Sequence, residues 1–125
     1  MKFENNTPTT KIKVKGPLGE KELVVTIDSG AFKTLIPLNI CSEIGLKVKE
    51  IRKVRGVCKI PVDVKIFWAD VFFDHRKVID TIIGFDLPVD ENAKEYEKSL
   101  MGRDILVNFD IMIGFKKKAI VFEDC

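Results

Sequence analysis

Leu23-Val24-Val25-Thr26-Ile27-Asp28-Ser29-Gly30-Ala31 decides how this chain is read. A run of apolar and β-branched residues leads straight into a carboxylate, a hydroxyl and a glycine. Branched side chains fit a pleated, half-buried surface, so Glu22–Ile27 reads as a strand. An acid delivered by such a strand into a glycine turn is held firmly and still reaches solvent. Asp-Ser-Gly by itself is a common turn and usually structural. What raises it here is a second segment late in the chain, Leu100-Met101-Gly102-Arg103-Asp104-Ile105-Leu106. There an apolar pair and a glycine precede a short helical stretch.

Outward from Asp28, the chain breaks into short pieces. Residues 1–9 are polar and read as a flexible, frayed N-terminus, with one domain over residues 10–125. Lys11–Lys15 alternates cation and apolar residue, Gly16-Pro17-Leu18-Gly19 is a turn, and Glu22–Ile27 completes a hairpin. Thr34-Leu35-Ile36 is a short strand stopped by Pro37. A short helix follows over Asn39–Leu46, with Gly45 as its cap. Glu50–Val57, Lys59–Val71 and Lys77–Ile83 read as strands, with Gly56 near a hairpin tip. Asp86–Ser99 is a polar connector with a turn or two of helix over Asp90–Tyr96. Leu100-Met101-Gly102 is extended and buried, Arg103–Val107 is helical, and Asp110–Gly114 with Ala119–Phe122 makes a final hairpin. Many short strands and one or two short helices predict an all-β, closed barrel-like domain.

Composition sets the outer limits. With 125 residues, 46% hydrophobic and 32% charged, the chain suits one folded domain and not a disordered one. No apolar run approaches the roughly 20 residues that a membrane-spanning helix needs. Met1–Asn6 lacks the apolar core of a secretory leader. Cys41, Cys58 and Cys125 cannot all pair within one chain, and their spacing fits no zinc pattern. Free thiols point to a reducing cytoplasm, with no metal and no cofactor expected. The net charge of +2 gives no strong field, and the lysine clusters read as wet strand faces, so no nucleic-acid partner is expected. His75 lies in a polar turn and builds no nucleophile triad. Trp68 with Phe67, Phe72 and Phe73 reads as packing.

The two segments together, in this order and in a chain of this size, resemble the signatures of the retropepsin-like (retroviral-type, clan AA) aspartic proteases. Those signatures are Asp-Thr/Ser-Gly-Ala after a strand, and an apolar pair plus glycine before a short helix. The resemblance spans most of residues 10–123 and implies the retropepsin (acid protease) fold. It implies an aspartic endopeptidase in which two carboxylates share a proton, one activating water while the other protonates the leaving amine. Such a pair titrates as a unit. One Asp-Ser-Gly in 125 residues then implies a homodimer, because a twofold axis brings any residue near it against its own copy. Asp28 is the catalytic candidate, and the substrate is an extended peptide or unfolded protein.

Roles for the neighbours follow. Ser29 would lock the two loops across the axis, as the resemblance implies. Gly30 leaves its N–H open to the carboxylate, and Ala31 lets substrate lie close. Leu100-Met101-Gly102 would thread beside the active loop, with Arg103 and Asp104 anchoring it by charged hydrogen bonds. Ile82-Ile83-Gly84-Phe85-Asp86 repeats the apolar-apolar-Gly pattern, but it lacks the arginine and runs into Leu87-Pro88, which opposes a helix. The later copy is preferred as the support. Gly56 is the candidate tip of a flap that closes over substrate. Two departures from retroviral relatives stand out. Phe32 occupies a place often held by an acid, which leaves Arg103 to find another partner, and Lys33 brings a cation near Asp28, most simply pointing to solvent. These departures motivate the alternative of a catalytically weak or inactive dimeric peptide- or protein-binding module.

Overall fold

Alternation builds the first half of the molecule. In β2 (Thr7–Gly16), Ile12 and Val14 are buried while Lys11, Lys13 and Lys15 are exposed. A period of two puts the apolar side chains on one face and the ammonium groups in water. β3 (Gly19–Ile27) returns antiparallel, with Lys13 opposite Glu22 and Thr9 opposite Thr26, and buries Leu23, Val25 and Ile27 on the same core. The computed structural model describes residues 2–55, 61–114 and 119–124.

The polar N-terminal residues carry a strand that their composition did not announce. β1 (Lys2–Glu4) pairs antiparallel with Thr7–Thr9, and Thr9 and Thr10 are buried. Asn5 and Asn6 turn the chain with φ of 48° and 64°. Asparagine tolerates this left-handed conformation, which a two-residue hairpin turn requires. Asn-Asn was therefore a turn signal inside a stretch that reads only as polar.

β4 (Leu35–Ile36) leads through Pro37 into α1 (Leu38–Glu43), and Gly45 at φ 71° releases the chain from the helix. β5 (Lys47–Arg55), β6 (Pro61–Phe73) and β7 (Arg76–Gly84) then form an antiparallel meander, with Asp74 and His75 making its second turn at φ of 52° and 63°. The connector holds a single 3₁₀ turn at Glu95–Glu97 in place of an α-helical turn, and it buries Tyr96. β8 (Leu100–Met101) and α2 (Arg103–Leu106) follow, then the separate pair β9 (Phe109–Gly114) and β10 (Ala119–Asp124).

The main sheet has eight strands in the order β1-β2-β3-β8-β4-β7-β6-β5, and an added β2–β6 pairing folds it back on itself. The larger core gathers Ile12, Val25, Ile36, Val71, Ile82 and Met101 among others, and a smaller cluster holds Val64, Ile66 and Ile83. Phe67 and Phe73 are core residues, but Trp68 is 48% exposed with the Lys49 ammonium 5.2 Å from its ring centre. No helix among the described residues is long and apolar enough to cross a membrane.

The centre of the sheet positions the site. β8 runs parallel to β3, with Ile27 opposite Met101, while β7 runs parallel to β4, with Ile36 opposite Gly84. Leu35 also pairs antiparallel with Leu100. Both apolar-apolar-Gly segments are therefore used, one beside each strand that flanks Asp28.

Candidate active site

Asp28 leaves the end of β3 with its backbone N–H donated to Met101 O at 3.0 Å. The side chain then folds over its own turn. Its Oδ1 accepts the Gly30 N–H at 2.9 Å, and the Ala31 N–H returns to Asp28 O at 3.2 Å. The acid is half-buried, whereas Ser29 and Gly30 are exposed. Val25 and Ile27, on the strand that delivers the acid, are buried in the core. Asp28 makes no ion pair among the described residues.

The late segment clasps this loop from the other side. The Arg103 N–H donates to Ala31 O at 2.8 Å. Gly102 packs against the Lys33 main chain so closely that a Cβ there would stand 2.6 Å from Lys33 O. Only glycine fits that approach without moving the loop. Asp104, in the first turn of α2, receives the Thr34 N–H on both carboxylate oxygens at 3.0 Å and the Thr34 hydroxyl at 2.7 Å. The same hydroxyl oxygen accepts the Gly102 N–H at 3.1 Å. Thr34 is fully buried, so each of these bonds replaces a partner that water would otherwise supply.

Several residues play parts that the sequence did not forecast. Arg103 meets the active loop through its backbone, and its side chain is exposed with no ion pair among the described residues. Of these two residues, Asp104 is the one whose charged side chain anchors the loop. Lys33 does not point into solvent. Its ammonium donates to Thr81 Oγ1 at 2.6 Å and lies 3.9 Å from Asp104 Oδ2, with side chains only 17% and 14% exposed. Thr34 was missed, although a branched hydroxyl residue six positions after the acid, at the head of an apolar strand, was its visible signal. Phe32 is 47% exposed beside the loop. Gly56 lies outside the described residues, as do Cys58 and Cys125.

Beside Gly84, the Cys41 thiol is pushed up to about 11, chiefly by burial, with Asp86 adding to the rise. A thiol so protonated is a packing group at neutral pH. Among the described residues, no group of His, Cys, Asp and Glu could hold a metal ion.

These features can be set beside known proteins. No family model matches the chain, and neither does any curated protein sequence. Among solved structures, the chain is similar to EIAV protease complexed with the inhibitor HBY-793, at a TM-score of 0.56. That similarity covers 81% of this chain and 86% of the viral one at 20% identity. The fold is retropepsin-like. A crystal structure of a retropepsin-like aspartic protease from Rickettsia conorii is also similar, at 16% identity and TM-score 0.48 over 98% of each chain. In this retropepsin-like fold, Asp28 occupies the exposed turn between β3 and β4, with β8 and α2 clasping it from behind.

Proposed function

We propose that this protein is an aspartic endopeptidase that works as a homodimer, each chain supplying one Asp28. The observation that carries the reading is the fixed carboxylate at the end of β3. Its Oδ1 is held by the Gly30 N–H at 2.9 Å, on a turn anchored to β8 through the Asp28 N–H. One such acid can accept a proton from water but cannot also hold one for the leaving amine. Two copies meeting about a twofold axis supply both functions. Two carboxylates sharing a site do not both ionise readily, so the pair retains one proton. The base then takes a proton from water as it attacks the scissile carbonyl, and the acid protonates the departing nitrogen. Ser29, exposed in the single chain, would meet its copy across that axis.

Substrate would lie extended over the loop, with main-chain hydrogen bonds and apolar contacts for alternate side chains. The exposed Phe32 ring is one such contact. It also favours a second reading, in which the same dimer binds peptides with little hydrolysis.

Asp28→Asn tests both. The variant is isosteric and keeps an oxygen for the Gly30 N–H, so the dimer should persist in sedimentation equilibrium while cleavage of an unfolded protein disappears. Full activity in Asp28→Asn removes Asp28 from the chemistry. Tight peptide binding by wild type without turnover, from acid to neutral pH, selects the binding module instead.

A further inference from the structure

We propose that Lys33 is a positioning residue for the Asp28 carboxylate, its ammonium strapping the active loop to β7 and α2. The inference rests on reading Asp28 as the catalytic acid.

A lysine on a loop between two short strands ordinarily keeps its charge in water. Lys33 does not, with a side chain only 17% exposed. Removing an ammonium from water is costly unless partners replace the lost hydration. Here they come from two different elements, Thr81 Oγ1 on β7 at 2.6 Å and Asp104 Oδ2 on α2 at 3.9 Å. A buried ion pair adds little net stability compared with apolar residues of the same volume. What it supplies is direction, since an ammonium hydrogen-bonded to one element and drawn to a charge on another fixes where its own backbone lies.

That backbone is the one on which Gly102 packs. Lys33 is thus held twice, by its main chain against β8–α2 and by its side chain across to β7. Along the same loop, the Asp28 N–H reaches Met101 O and Ala31 O receives the Arg103 N–H. A shift of α2 relative to β7 would be passed through these bonds to the acid. Two carboxylates that must hold one water between them tolerate little displacement, and an error of about 1 Å can cost on the order of a hundredfold in rate.

The test compares Lys33→Met, which keeps most of the length and removes the charge, with Lys33→Arg, which keeps the charge. kcat and KM are measured on a peptide substrate, and amide hydrogen exchange is followed at Gly102 and Arg103. In folded, dimeric Lys33→Met, kcat should fall about tenfold or more while KM stays within about twofold. Exchange at both amides should quicken. Lys33→Arg should recover most of the rate. Wild-type kcat in the Met variant, or a lower kcat with unchanged exchange, overturns the proposal. Should Lys33→Met fail to fold, Thr81→Val removes a single acceptor and should still lower kcat and quicken exchange. Wild-type values there are equally fatal. If the wild-type protein cleaves nothing, the protease reading fails, and the exchange rates alone decide whether Lys33 holds the loop.

Discussion

Ile82-Ile83-Gly84-Phe85-Asp86 and Leu100-Met101-Gly102-Arg103-Asp104 share one pattern, yet they do different work. Each ends a strand that runs parallel to one flank of the Asp28 loop. In each, the residue after glycine donates its N–H across the gap, Phe85 to Ile36 O at 2.9 Å and Arg103 to Ala31 O at 2.8 Å. The aspartates then diverge. Asp86 takes a single exposed bond from the Leu38 N–H at 3.2 Å, at the start of α1. Asp104 takes two donors from buried Thr34 and lies beside a half-hidden ammonium. The glycines diverge as well. A Cβ at Gly84 would press on the Phe67 ring at 2.5 Å and on Cys41 Sγ at 2.8 Å, whereas at Gly102 it would meet Lys33 backbone. Side chains can turn aside, but a clasped main chain cannot. The earlier copy holds the scaffold, and the later one holds the acid.

The sharpest way to break this contrast is alanine at each glycine. Gly102→Ala should destabilise by about 3 kcal/mol in urea titrations and abolish cleavage, because the loop itself must move. Gly84→Ala should cost about 1 kcal/mol and leave cleavage nearly intact, as Phe67 and Cys41 adjust. Equal costs at the two sites would erase the distinction drawn here.

Thr34→Val comes next in size. It keeps the shape of the side chain but leaves the Gly102 N–H without its acceptor and takes a donor from Asp104. An unmet buried group of this kind costs about 2 kcal/mol. Its loss should show in chemical denaturation together with a lower kcat. A neutral Thr34→Val would mean that the joint between the two motifs lies elsewhere.

The effect least visible at neutral pH concerns the scaffold side and appears only in alkali. Burial lifts the Cys41 thiol from 9.0 to about 11. In the unfolded chain the thiol ionises first, so the stability it confers is fully present below pH 9 and is lost as pH rises toward 11. Melting temperature should therefore decline more steeply over that window in wild type than in Cys41→Ala. Parallel declines would show that the thiol makes no such contribution.

Much of this was legible from residue order. Period-two alternation marked β2, because the pleat forces every second side chain to one face, and a run of branched apolar residues marked β3. Leu23–Ala31 with Leu100–Leu106 pointed to the fold through their resemblance to the retropepsin-like signatures. The N-terminal strand was not legible. Its polar residues carry no burial pattern, and only the Asn5-Asn6 turn folds them back. Lys33 was illegible for another reason, since nothing local distinguishes a lysine bound for water from one bound for Thr81.

The sequence alone settled the kinds of element, where they alternate, and which acid stands at a glycine turn, because these depend on spacing between near neighbours. Tertiary structure alone decided that both apolar-apolar-Gly segments are needed, that Asp104 and not the Arg103 side chain anchors the loop, and that Lys33 is drawn inward. Those outcomes depend on groups about fifty to seventy residues apart meeting within hydrogen-bonding distance, and no local pattern encodes such a meeting.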